Sequence, residues 1–218
     1  IIMILLSLTF IASSFANNDI NVLLKKAKKG DVESQFECAV CYYFGSCAKK
    51  DYKEAVKWLE LAVSKEHRNA QLLLGMAYGS GNGVKKDPEK AFSLYKQALP
   101  GGNVYTIYMV GRSYYYGIGT LQNFEEAVRY LKDAAIQNDQ NAQQLLGDAY
   151  YKGNGLNINY ERATYWFLRA ADQGNPDAQF SLGYAFYEGN GVPKDYSKAM
   201  NYFQKAAEKG HIGAYEAL

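Results

Sequence analysis

Apolar positions recur along this chain on two scales. Within short stretches they fall at i, i+3, i+4 and i+7, the spacing of one helix face. Ala178, Leu182, Ala185 and Phe186 make one such stripe, and Ala199, Tyr202, Phe203 and Ala206 make the next. Over longer stretches the stripes themselves return every 36 residues. Gly183 steps back onto Gly147, Gly111, Gly75 and Ala39, and Gly189 onto Gly153, Gly117, Gly81 and Gly45. Ala199 steps back onto Ala163, Ala127, Ala91 and Ala55. A fixed period with small residues in fixed columns predicts a stacked array of helix pairs. One pair cannot bury its apolar stripe alone, so its neighbours must do it.

Each period predicts a helix A and a helix B. Helix A starts after the column Asp31, His67, Asn103, Asp139, Asn175, and helix B after Asp51, Asp87, Asn123, Asn159, Asp195. All but His67 are common N-caps, whose side-chain oxygen accepts an otherwise orphan backbone N–H. Pro88 and Pro176 fall at first helical positions, where their missing N–H does no harm. Between the helices runs Gly-x-Gly, as in Gly81-Asn82-Gly83 and Gly153-Asn154-Gly155. Glycine there permits a positive φ and ends helix A. The motif joins helix to helix and lacks a following Lys-Ser/Thr, which argues against a phosphate cradle.

The expected layout is a signal peptide at 1–16, a capping helix at 17–29, and repeats at 30–65, 66–101, 102–137, 138–173 and 174–209. Residues 210–218 read as a truncated sixth repeat or a C-terminal cap. The fold class expected is all-α, a right-handed α-solenoid.

These columns resemble the Sel1-like repeat family, a TPR-like helical repeat. The resemblance rests on Ala142 to Tyr150 (Ala-Gln-x-x-Leu-Gly-x-Ala-Tyr), on Gly81 to Asp87 (Gly-Asn-Gly-Val-x-Lys-Asp) and on Ala163 to Ala171. It implies a scaffold or adaptor that binds other proteins, and for exported bacterial types a periplasmic or secreted location. Some cysteine-rich secreted relatives are linked to penicillin binding or β-lactam hydrolysis and carry a bridge in each repeat. Here the cysteines are confined to the first repeat.

Charge is balanced, with 24 basic and 22 acidic residues, so no broad attraction to nucleic acid or anionic lipid is expected. Ile1 to Phe15 carry no charge, and Ser14-Phe15-Ala16 offers small residues for cleavage near Ala16. That stretch is short for a bilayer span and reads as a signal segment, with a membrane anchor as the alternative. Cys38, Cys41 and Cys47 lie together. In an oxidising compartment a Cys41–Cys47 bridge is expected to tie helix A to its loop, leaving Cys38 in a core column.

No catalytic or metal site is expected, and no cofactor. His67 and His211 share one column four repeats apart, too far to share a metal. Ser93-x-x-Lys96 matches a serine–lysine pattern but lies on a solvated helix-B face, with no Lys-Thr-Gly following. The columns at 33, 37, 40 and 44 instead point away from the constant stripe and change from repeat to repeat. They suggest a concave groove that binds a protein or peptide, with Leu73, Met76, Tyr105, Met109, Arg112, Tyr116, Leu145, Asp148 and Tyr184 as contacts. Tyr, Met and Arg are the types enriched at interface cores. The competing explanation is that these columns pack on the next repeat. A β-lactam-interacting protein and a structural spacer are the alternative functions.

Overall fold

The computed structural model describes residues 19–218, so the expected signal segment and its cleavage near Ala16 lie outside the described residues. Twelve α-helices follow one another, and no strand occurs among the described residues. They are α1 (Ile20–Lys28), α2 (Val32–Phe44), α3 (Tyr52–Val63), α4 (Arg68–Ser80), α5 (Pro88–Ala98) and α6 (Val104–Tyr116). There follow α7 (Phe124–Ile136), α8 (Gln140–Lys152), α9 (Tyr160–Asp172), α10 (Pro176–Glu188), α11 (Tyr196–Glu208) and α12 (Ile212–Ala217). The chain forms two compact units, one ending at Thr106 in the first turn of α6 and one beginning at Ile107.

The capping columns start these helices. Asp31 accepts from Ser34 N–H at 2.8 Å, Asp139 from Ala142 N–H at 2.8 Å and Asn175 from Ala178 N–H at 2.9 Å. His67 and His211 also cap, each accepting at Nδ1, from Ala70 and Ala214 N–H at 3.1 Å. Imidazole therefore does in this column what the carboxylates and amides do elsewhere. His67 stacks on Phe36 and His211 on Phe180, at 4.6 and 4.2 Å between centroids.

In the first unit α4 packs on both α3 and α5; in the second α8 packs on both α7 and α9. Helix A thus has a helix B on either side, and small residues let both approach. Ala142, Ala149, Ala163 and Ala170 are fully buried. Gly147 lies under the ring of Phe167, where an added Cβ would sit 2.5 Å from Cε1. A buried glutamine fastens helix A to the end of the preceding helix B. Gln35 Nε2 donates to Ala27 O and Gln143 Nε2 to Ala135 O, both at 3.1 Å, and Gln179 Nε2 to Ala171 O at 3.4 Å. Each adds a side-chain donor to a last-turn carbonyl that also accepts the backbone N–H three residues on.

The loops dock through their second glycine. Gly191, at φ 74°, lies against the Tyr160 carbonyl so closely that a Cβ would overlap it, and Gly155 meets Phe124 in the same way. Cys47 occupies this column in the first repeat. There a disulfide to Cys41 holds the loop to helix A, with Cα atoms 5.1 Å apart. Cys38 is fully buried, and burial pushes its thiol up to about 12.

Two measurements check this packing. An exposed helical Gly→Ala change ordinarily stabilises by ~0.5–1 kcal/mol. Gly147→Ala should instead destabilise by ~1–3 kcal/mol, because the Phe167 ring must move; urea unfolding reads the sign. Reducing the Cys41–Cys47 bridge should lower stability by ~2 kcal/mol, as a short cross-linked loop does. A Cys47→Ala chain should match the reduced protein and ignore dithiothreitol.

Candidate functional site

Within the second unit the outward faces of α6, α8 and α10 meet in a cleft of about 420 Å³. Tyr108, Arg112 and Tyr116 come from α6, Asn141, Gln144 and Leu145 from α8, and Asp177 from α10, with Ile118 from the loop after α6. Arg112 is half-buried; its guanidinium lies 5.7 Å from the centroid of the Tyr116 ring, and it forms no ion pair among the described residues. Both neighbouring carboxylates are already engaged. Asp177 lies 3.4 Å from His211 Nε2, and Asp148 accepts from Gln144 Nε2 at 2.7 Å. Asn141 Oδ1 accepts from Asn175 Nδ2 at 3.3 Å.

Burial holds the Asp148 carboxyl above the usual carboxylate range; Lys152 and the Gln144 amide oppose this and Asp177 adds to it. Burial also raises the Tyr116 phenol, with Asp148 and Asp177 adding and Arg112 opposing. The cleft therefore combines one unpaired cation, two phenols and the Asp177 carboxylate, with Asp148 bonded to its Gln144. It can hold a polar chain by a charge-assisted hydrogen bond to Arg112 and by stacking on Tyr116.

The expected contact residues divide by column. Leu73, Met109 and Leu145, all in the column at 37, are buried at 0, 9 and 2 % exposure. As free anchors they are corrected: this column packs, and Leu145 contributes only the floor of the cleft. The reason is the second helix-B neighbour, which widens the buried sector of helix A beyond one stripe. Met76, Tyr105, Arg112 and Asp148 are half-buried, and Tyr116 and Tyr184 are 51 and 40 % exposed. Arg112, Tyr116 and Leu145 come together in the cleft, with Asp148 held on its Gln144. Tyr184 lies apart, against Phe180 and Phe203, and Leu73, Met76 and Tyr105 belong to the other unit. Sequence reasoning missed Tyr108, Gln144 and Ile118. Ile118 did carry a signal, since it stands where other loops have Asn82, Asn154 and Asn190. Ser93 is exposed on α5 and its hydroxyl accepts from Gln97 Nε2 at 3.3 Å, so the serine–lysine pattern forms no enclosed site.

This arrangement defines a helical-hairpin repeat protein whose variable side chains gather on helix A. The Sel1 repeat matches residues 32–67, 68–100, 104–139, 140–175 and 176–211, and the chain belongs to that family. Sel1-repeat proteins are generally protein-interaction scaffolds. Among solved structures the chain is similar to a protective antigen present in uropathogenic Escherichia coli strains. Identity is 33 %, TM-score 0.76, and the match covers 89 % of this chain and 42 % of that one. A Sel1 repeat protein from Oxalobacter formigenes is 27 % identical at TM-score 0.79, covering 85 % of this chain and 74 % of that one. Immunity protein PA5088 from Pseudomonas aeruginosa shares the fold alone, at 23 % identity and TM-score 0.51, covering 84 and 66 %. The chain thus spans less than half the length of the E. coli antigen. No curated protein matches it. No described helix is long and apolar enough to cross a membrane.

The raised Asp148 carboxyl gives a pH test. A carboxyl whose folded pKa lies above its unfolded one opposes folding when ionised, and that opposition fades as pH falls through the folded pKa. Asp148→Asn should therefore raise the melting temperature at pH 7. The gain should shrink toward zero as the pH drops below the raised Asp148 value, which a series of thermal melts between pH 7 and pH 4 would follow.

Proposed function

We propose that this protein is a non-enzymatic scaffold that binds a protein or peptide in the α6–α8–α10 cleft. The carrying observation is Arg112: a half-buried guanidinium in a cleft, with no carboxylate paired to it. A half-buried arginine of this kind becomes a binding hot spot when a partner covers it and supplies the missing anion. The ligand presents a carboxylate to Arg112 and packs apolar atoms on Tyr116 and over Leu145. The Cys41–Cys47 bridge supports an oxidising compartment, so the partner is sought in the periplasm or outside the cell.

A photo-crosslinking residue placed at Tyr108 in the full chain tests this in the native envelope. A discrete crosslinked partner is expected, reduced at least tenfold by Arg112→Gln while the helical CD spectrum stays unchanged. Capture at full strength by the Arg112→Gln chain would remove the cleft from the account. The affinity should also rise as the pH falls through the raised Asp148 value, while the partner's carboxylate is still ionised, because protonating Asp148 lowers the negative charge beside the cleft.

A further inference from the structure

Helix α8 departs from the other copies of helix A at the floor of the cleft. The columns at 33 and 36 read Glu33 with Phe36, Asn69 with Leu72, Tyr105 with Tyr108 and Asp177 with Phe180. On α8 they read Asn141 with Gln144, two amides one turn apart on one helix face. Both are half-buried and line the cleft. Gln144 thus puts an amide where every other copy has leucine or an aromatic ring.

The neighbours of these amides fix which way each one points. Asn175 is buried, and its oxygen is spent on the α10 cap, accepting from Ala178 N–H at 2.9 Å. Its Nδ2 must therefore be the atom that meets Asn141 at 3.3 Å, and Asn141 must answer with Oδ1. What Asn141 has left is Nδ2, a donor with no partner among the described residues. Gln144 is held in the opposite sense. Its Nε2 donates to the Asp148 carboxylate at 2.7 Å, which leaves Oε1 as an acceptor with no partner.

The floor of the cleft thus offers one donor and one acceptor, beside an Arg112 that lacks a carboxylate. An extended residue turns its own N–H and C=O to the same side, and such a pair is matched by one acceptor and one donor. A helical segment has no such pair to offer, because its N–H and C=O groups are spent on each other. Asp177 makes the α10 wall negative, so an anionic side chain is placed toward α6.

We infer that the cleft reads the main chain of an extended, acidic peptide segment. Asn141 donates to the carbonyl oxygen of one residue, Gln144 accepts the N–H of that same residue, and Arg112 pairs with an aspartate or glutamate side chain close by in the segment. This inference rests on the peptide-binding reading of the cleft and specifies the ligand's conformation and charge.

Random linear nonapeptides displayed on phage and panned on the full chain supply the probe. Enriched sequences should share an aspartate or glutamate. Their synthetic copies, followed by fluorescence anisotropy, should bind one-to-one and at least tenfold more weakly to the Arg112→Gln chain. A scan that replaces each backbone N–H in turn by an ester oxygen then finds the amide that is read. One position should weaken about fivefold, the worth of one neutral hydrogen bond. Its two neighbours should not change, since successive residues of a strand face opposite ways. Gln144→Met, which keeps the side-chain volume and the helical CD spectrum, should bind the amide peptide about fivefold more weakly, and the ester should cost it nothing further. A scan with no sensitive position, or an ester loss that persists in Gln144→Met, would overturn the main-chain reading and leave the cleft standing through Arg112. Enriched peptides indifferent to Arg112→Gln, or no enrichment, would overturn both.

Discussion

The structure depends on one steric constraint: helix A must accept a helix B on each side at close range. Two helices approach that closely only where the side chains between them are small. Ala142, Gly147 and Ala163 meet the requirement around α8, and the same columns meet it in the other repeats. Once the helices are that near, the aromatic rings have defined places and the buried glutamines reach the preceding helix end. The glycine turns can then lie flat on a neighbouring backbone. Enlarge the small columns and each of these secondary contacts loses its geometry together.

The same constraint decides which part of helix A is left for function. With both flanks covered, the columns at 33 and 44 stay the most open, and those at 36, 37 and 40 reach the surface in some repeats only. Sequence variation at those surface positions is therefore free of packing. In the second unit it has produced Arg112, Tyr116, Asn141, Asp148 and Asp177 within one small region. An array whose skeleton is fixed by alanine and glycine can change its ligand by exchanging a few such side chains, as repeat architectures do generally.

The helices and their order were legible because three independent signals agree: period, caps and glycine turns. Asp139, Gly147 and Gly153 each mark a boundary or a close contact by residue type alone. The cleft was legible only in part. A 100° wheel placed Leu73, Met109 and Leu145 with the outward columns, since it assumes one buried stripe where helix A has two. Tyr108 and Gln144 were hidden for the opposite reason, lying in a column shared with Phe36 and Phe180 that looks like packing. His67 and His211 gave no cap signal because imidazole seldom plays that part, although Nδ1 has the acceptor lone pair it requires.

The covalent clamp at Cys41 and Cys47 makes the two sides of the described array mechanically unequal. A cellular unfolding motor that threads a polypeptide through a narrow pore pulls from one terminus. Entering from the amino end, it meets a closed ring of chain within the first hairpin and must pass a doubled strand or wait for a reductant. Entering from the carboxyl side of the described residues, it meets only hydrogen bonds and packed rings from α12 back to α2. The lifetime of this protein under such traction is thus set by direction, and by the redox state of the compartment in which it is seized.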